Sequence, residues 1–97
     1  EKQFREFCER YNLPFRYVGN GDVWIDCRNP DFIHRTKPVI IEIFGKGWHS
    51  RKISLPKYAE EATKRHFQKH GFECIVIWDY ELQKEDALYG RLSQFSI

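Results

Sequence analysis

The sequence feature that most constrains the fold is an apolar run, Val39–Phe44, that contains one acidic residue, Glu42. Runs of this length that are rich in β-branched and aromatic residues are typical of a buried β-strand. A carboxylate alone in such a strand costs several kcal/mol unless a positive charge pairs with it or a proton neutralises it. The chain must therefore supply a partner for Glu42.

The residues before the run predict what lies opposite Glu42. We expect residues 35–38 to form a four-residue hairpin loop, so that His34 faces Val39 across an antiparallel pair. In this register Asp31 faces Glu42, and like charges on directly opposed residues, whose Cβ atoms lie about 4.5–5.5 Å apart, repel each other. A divalent cation between the carboxylates would remove this penalty, and hard oxygen ligands suit Mg²⁺ or Mn²⁺. The inference depends on register, because a slip of one residue sends the two side chains to opposite faces.

A turn with two glycines follows the strand. Gly45 and Gly47 flank Lys46, and they let the backbone turn sharply and approach a ligand closely. Trp48 and His49 come next. A histidine at the end of a strand that bears a carboxylate is placed to transfer protons near neutral pH.

Each of these interpretations has a simpler alternative. Glu42 can form a partly buried ion pair with Lys37 or Arg65. His49 can be an ordinary surface or capping histidine, and Trp48 can be a core aromatic residue. The residues alone leave both readings of each position open.

Taken in order, these segments resemble the PD-(D/E)XK nuclease superfamily, and within it the very-short-patch repair endonucleases and the related phage homing endonucleases. The resemblance spans nearly the whole chain: an N-terminal helix with a glutamate, then FRYVGNGDVWI, NPDF, VIIEIFGKGWH and, after a further helix, HGFECIVIWDYEL. It implies an α/β fold with a restriction-endonuclease-like core, in which helices flank a mixed central sheet of about four to five strands. It also implies a homing or repair endonuclease that hydrolyses DNA phosphodiester bonds with Mg²⁺, for which Mn²⁺ would substitute.

The resemblance assigns roles to individual residues. It implies metal ligands at Asp31 and Glu42, a general base at His49 and a glutamate that supports the metal site at Glu1. Phe44 stands where the superfamily usually has a lysine, so either His49 or Lys46 replaces that lysine or the site is weakened. This departure leaves open a catalytically inactive nucleic-acid-binding module of the same fold. A third hypothesis is an RNA-binding module in which the carboxylates are incidental.

Basic residues are concentrated directly after the strand. Residues 46–70 contain seven lysines and arginines but two acidic residues, whereas residues 71–97 contain more acidic than basic side chains. The formal net charge of +2 is too small to indicate a nucleic-acid partner, but this distribution favours a phosphate backbone that crosses near the strand. Together with this distribution, the resemblance implies that double-stranded DNA binds there, through Lys46, Trp48, Arg51, Lys52 and Lys64. The alternative is a solvated helix face with an excess of lysine.

The rest of the pattern predicts helices and strands around this segment. The predicted helices run to Tyr11 from the N-terminus, from Pro56 to about His70, and within residues 84–95. Predicted strands lie at residues 15–18 and, after an Asn20-Gly21 turn, at residues 23–25. A further strand, residues 73–78, is apolar on both faces, which favours a central position parallel to residues 39–44.

Other candidate metal ligands are less distinctive. His66 and His70 lie four residues apart on a predicted helix, which is a spacing that metal sites use. The sequence shows no third ligand for them, which favours surface histidines. Asp22 and Asp26 lie beside turn residues, where a solvated or turn-capping role is favoured. The three cysteines form no C-x-x-C pair and indicate neither a disulfide framework nor a zinc site.

The length of 97 residues fits a single small nuclease domain, residues 1–97. Because the chain begins at Glu1 and contains no methionine, we interpret it as a domain excised from a longer protein, in which a separate DNA-binding domain would add affinity. The sequence has no signal-peptide pattern and no apolar run of the ~20 residues that a membrane helix needs. We therefore expect a cytoplasmic protein, and the resemblance implies that it is bacterial or phage-encoded and DNA-associated.

Overall fold

The fold is given by a computed structural model that describes residues 2–45 and 56–96. Within these ranges the helices are α1 (Lys2–Tyr11), α2 (Pro56–Lys69) and α3 (Glu85–Leu92), and short 3₁₀ helices, Asp79–Gln83 and Ser93–Phe95, flank α3. The strands are β1 (Phe15–Tyr17), β2 (Phe32–His34), β3 (Val39–Phe44) and β4 (Glu73–Trp78). None of the helices in the described ranges combines the length and the apolar content that crossing a bilayer requires.

The four described strands form one mixed sheet in the order β1-β2-β3-β4. β1 and β3 each pair antiparallel with β2, whereas β3 and β4 are parallel. Parallel neighbours need a crossover connection, and α2 lies in the segment that joins them. The architecture is therefore mixed α/β, and the predicted parallel pairing of residues 39–44 with residues 73–78 is confirmed.

β2 and β3 pair in the predicted register. Phe32 lies opposite Ile41, and Ile33 lies opposite Ile40. Residues 35–38 are the loop that joins the two strands, as the sequence predicts.

His34 fixes this hairpin loop from inside the fold. Its side chain is 3% exposed. Nε2–H donates to the Phe95 carbonyl at 2.8 Å, and Nδ1 accepts from the backbone N–H groups of Thr36 and Lys37, both at 3.1 Å. One buried imidazole therefore holds the loop closed and joins it to the C-terminal segment.

Two core clusters occupy opposite faces of the sheet. The first core cluster lies against α1 and α3 and contains Phe32 and Leu88. The second core cluster lies against α2 and contains Ile40 and Phe67. Because side chains alternate along a strand, Glu42 shares the face of Ile40 and points toward α2.

The predicted strand at residues 23–25 is wrong. β1 pairs with β2 instead, and residues 23–25 belong to none of the described strands. The side-chain amide of Asn29 supplies the physical reason, because it donates to the carbonyls of Val18 and Val23, both at 2.7 Å. Residues 18–30 therefore form a loop braced by a side chain, called the 18–30 loop below, rather than a hairpin ladder.

The predicted central position of β4 is also wrong for the described sheet, in which β4 lies at one edge. Its apolar residues on both faces have another cause. Cys74 and Val76 pack in the second core cluster, whereas Ile77 packs in the first. Burial on both faces therefore reflects the helices above and below the sheet and does not require a strand on each side.

Candidate carboxylate site

Asp31 and Glu42 are held together by reciprocal contacts with backbone N–H groups. The Asp31 N–H donates to Glu42 Oε2 at 2.9 Å, and the Ile43 N–H donates to Asp31 Oδ2 at 2.8 Å. Both bonds are partly buried. The two carboxylates thus extend the β2–β3 register by one residue pair, as predicted, and lie on the same side of the sheet.

The chain before β2 fixes the position of Asp31. Pro30 is buried, and the Asp31 carbonyl accepts the Val18 N–H at 2.9 Å. The backbone of Asp31 is therefore bonded on one side to the 18–30 loop and on the other to Glu42. This arrangement leaves little freedom for the aspartate to leave the strand end.

The donor set fits a hard divalent cation. Two carboxylates held side by side repel each other, and a cation between them would offset that repulsion. Oxygen donors of this kind match Mg²⁺ or Mn²⁺ better than softer metals.

Two basic side chains share the α2 face with Glu42. Burial is the main cause that raises the pKa of the Cys74 thiol to about 12; the negative charge of Glu42 adds to the shift, and the positive charges of Lys64 and Arg28 oppose it. Arg28 also donates to Thr63 Oγ1 on α2 at 3.2 Å. Lys64, a predicted DNA contact, therefore lies close enough to Cys74 to oppose the effect of Glu42 on that thiol. Arg28 is a second basic residue near Cys74, and the sequence alone did not indicate it.

Phe44, which stands where the resemblance leads us to expect a lysine, is a buried core residue. Its side chain is 1% exposed, and its ring packs edge-on against Trp78 with the centroids 5.0 Å apart. A lysine at this position would have to enter the second core cluster. Phe44 is therefore a residue of the second core cluster and not of the carboxylate site.

Lys64 is positioned by a chain of contacts that starts at the end of β4. The Trp78 indole N–H donates to Glu60 Oε1 at 2.8 Å, and Lys64 Nζ lies 3.0 Å from Glu60 Oε2. Burial raises the pKa of the Glu60 carboxyl, but the hydrogen bonds from Trp78 and Lys64 outweigh this effect and leave the pKa below its ordinary value. Glu60 is therefore a charged partner that orients Lys64 on α2.

The alternative partners considered for Glu42 are solvent-exposed. Neither Lys37 nor Arg65 forms an ion pair within the described part of the chain. Six other predicted site residues lie outside the described residues: Glu1, Lys46, Trp48, His49, Arg51 and Lys52. The structure thus brings together Asp31 and Glu42, with Lys64 on the neighbouring helix.

The sequence indicated two of the three members of a histidine-containing cluster. His66 lies on α2, His70 directly follows the last residue of that helix, and the structure adds Asp26 beside them. Asp26 is far from both histidines along the chain, so no spacing rule could have linked it to them. The one available signal was the histidine pair itself.

A comparison of the chain with protein-family models, with curated proteins and with solved structures finds no match. Membership of the PD-(D/E)XK superfamily is therefore a proposal that depends on the motif residues and on the geometry of Asp31 and Glu42.

Proposed function

We propose that this protein is a metal-dependent endodeoxyribonuclease of the PD-(D/E)XK type, which hydrolyses phosphodiester bonds of double-stranded DNA in a homing or repair role. The observation that carries the proposal is the reciprocal pair formed by Asp31 and Glu42. An acidic pair at the end of a β-hairpin is the arrangement that the motif requires.

Asp31 and Glu42 would hold Mg²⁺, together with a backbone carbonyl near Ile43, and Mn²⁺ would substitute. Such an ion would supply Lewis-acid polarisation of the scissile phosphate and would stabilise charge on the leaving oxygen. The contribution of the chain is preorganisation, because the N–H groups of Asp31 and Ile43 orient one oxygen of each carboxylate before any ligand arrives. That orientation would otherwise cost entropy at the moment of binding.

His49 would accept a proton from the attacking water, and Glu1 would support the metal site. Because Phe44 is buried, the positive charge that the superfamily obtains from a lysine would come from Lys46 or from His49. A general base of this kind typically contributes about 10²–10⁴-fold to the rate.

DNA would lie across the basic segment that follows β3. Lys46, Arg51, Lys52 and Lys64 would neutralise phosphates, and Trp48 would stack on or wedge between bases. Binding that depends on phosphate contacts weakens steeply as the salt concentration rises.

Cleavage of supercoiled plasmid DNA in the presence of Mg²⁺ tests the proposal. Because each acid contributes to holding the ion, Asp31→Asn and Glu42→Gln should each lower the cleavage rate at least about 100-fold. Glu73→Gln is the matched control, since it removes an exposed carboxylate from the strand next to β3 and should leave the rate unchanged. Equal rates for the two site variants and the control would refute the proposal.

The buried Phe44 favours one alternative, a catalytically inactive DNA-binding module of the same fold. Under this hypothesis, the wild-type protein binds DNA but cleaves it with neither Mg²⁺ nor Mn²⁺. Asp31→Asn would then tighten binding slightly, because it removes a negative charge near the phosphates. His49→Ala separates the two functions, since it should abolish cleavage and preserve binding only if the protein is an enzyme.

A further inference from the structure

Asp26, His66 and His70 form a cluster beside the last turns of α2. One ligand atom from each residue lies within 4.8 Å of the others, and this is the one such group of histidine, cysteine or acidic side chains in residues 2–45 and 56–96. The two imidazole centroids are 5.2 Å apart, and His70 Nε2 lies 3.9 Å from Asp26 Oδ2. Donor atoms in a tetrahedral site with bonds of about 2.0–2.1 Å lie about 3.3 Å from each other. Small side-chain rotations would therefore close the cluster around an ion.

A tight turn presents Asp26 to the helix. The Ile25 N–H donates to the Arg28 carbonyl at 2.8 Å, and the Arg28 N–H donates to the Ile25 carbonyl at 3.2 Å, so that Asp26 and Cys27 form the tip. Two contacts hold the turn on α2: Ile25 is buried in the second core cluster, and Arg28 donates to Thr63. The position of Asp26 relative to the histidines is therefore set by packing.

His66 is oriented by the same turn. Its Nε2 lies 3.2 Å from the Ile25 carbonyl oxygen. A carbonyl oxygen only accepts hydrogen bonds, so Nε2 carries the proton and Nδ1 has the lone pair. Metal-bound histidines usually donate their second ring N–H to a carbonyl or carboxylate in this way, which fixes the ring and the tautomer.

We propose that Asp26, His66 and His70 bind a transition-metal cation, with Zn²⁺ the best match. Two imidazole nitrogens and one carboxylate oxygen favour Zn²⁺ and its neighbours over Mg²⁺ or Ca²⁺. Three protein ligands leave one tetrahedral position for water or an external ligand. The proposal is independent of the nuclease function, because it uses none of the residues assigned to that function.

The location indicates what such an ion would do. It would join the tip of the 18–30 loop to α2, and the same loop ends at Pro30, directly before Asp31. The ion would therefore act as a clamp on the segment that delivers Asp31 to the carboxylate site. Its effect on that site would be one of positioning.

Calorimetric titration of the chelator-treated protein with ZnCl₂ at about pH 7.5, where imidazoles are mostly neutral, tests the proposal. We expect one Zn²⁺ per chain, and Co²⁺ in its place should give visible absorption bands of a tetrahedral site. His70→Ala and Asp26→Asn should each weaken Zn²⁺ binding at least about tenfold. Asp22→Asn is the matched control, because Asp22 is an exposed aspartate of the same loop. This variant should bind Zn²⁺ like the wild type.

Thermal unfolding in chelator would show that the variants fold, and added Zn²⁺ should raise the melting temperature of the wild type but not of His70→Ala. Absence of stoichiometric Zn²⁺ binding would overturn the proposal. So would a titration in which Asp31→Asn abolishes binding and His70→Ala retains it, because that result would place the ion at the carboxylate site.

Discussion

The two candidate cation sites of this protein hold their ligands in opposite ways. At the carboxylate site, backbone N–H groups fix one oxygen of Asp31 and one of Glu42 at 2.8 and 2.9 Å. At the histidine cluster, Asp26 Oδ2 and His70 Nε2 are 3.9 Å apart, and the Asp26 side chain is 61% exposed. The first geometry is set by the sheet before a cation arrives, whereas the second must tighten when one binds.

Sheet register and loop packing therefore place ligands with different precision. A register places residues of two strands directly opposite each other. A slip of one residue would move all side chains of a strand to the opposite face of the sheet. A loop braced against a helix tolerates rotations of exposed side chains. Hard oxygen ligands on a rigid strand pair suit Mg²⁺, which demands regular geometry, whereas the histidine cluster suits the less demanding Zn²⁺.

The largest effect is expected from a cavity in the sheet. Phe32 is fully buried, and its ring contacts Phe4 and Tyr17 with centroid distances of 4.8 and 5.4 Å. Phe32→Ala should lower the free energy of unfolding by about 3–5 kcal/mol, measured by urea denaturation. Trp24→Ala in the 18–30 loop is the control, since Trp24 is 61% exposed and should cost about 1 kcal/mol or less. Similar losses for both variants would contradict the difference in burial between these two side chains.

The carboxylate pair could be predicted because its information is local. Asp31 and Glu42 belong to one hairpin, and the four-residue loop between the strands determines which residues face each other. The role of His34 in closing that loop was not predictable, because its partner Phe95 lies at the other end of the chain. The sequence therefore specifies the register, while tertiary contacts secure it.

The 18–30 loop and the histidine cluster were harder to predict for the same reason. The Asn20-Gly21 turn was expected, and Gly21 has a positive φ of 96°. The strand expected after it does not form, because Asn29 takes the carbonyls that a ladder would use. Asp26 reaches the histidines through packing of the loop on α2, which no periodic pattern records.

An intermediate effect is expected at Asp26, where φ is +59°. This left-handed conformation favours glycine, so Asp26→Gly should be between about 0 and 1 kcal/mol more stable than the wild type in chelator. With Zn²⁺ at 100 times its Kd, the wild type should gain about 2.7 kcal/mol and the variant almost nothing. The order of the two melting temperatures should therefore reverse on adding Zn²⁺. A constant order under both conditions would contradict a ligand role for this carboxylate.

The smallest effect on stability is expected for the cysteines of the sheet and of the 18–30 loop. Their thiols should nevertheless differ clearly in reactivity. Burial raises the pKa of Cys74, on the strand next to β3, and of Cys8 from 9.0 to about 12, whereas Cys27 at the tip of the loop turn is exposed. At about pH 8, one thiol should react rapidly with a disulfide reagent, and all three should react after unfolding. Cys27→Ser should abolish the rapid reaction, and two fast thiols in the native wild type would contradict the burial of Cys74 or of Cys8. Because folding raises these pKa values, the stability that the buried thiols contribute is complete below pH 9.0 and is lost as the pH rises toward 12.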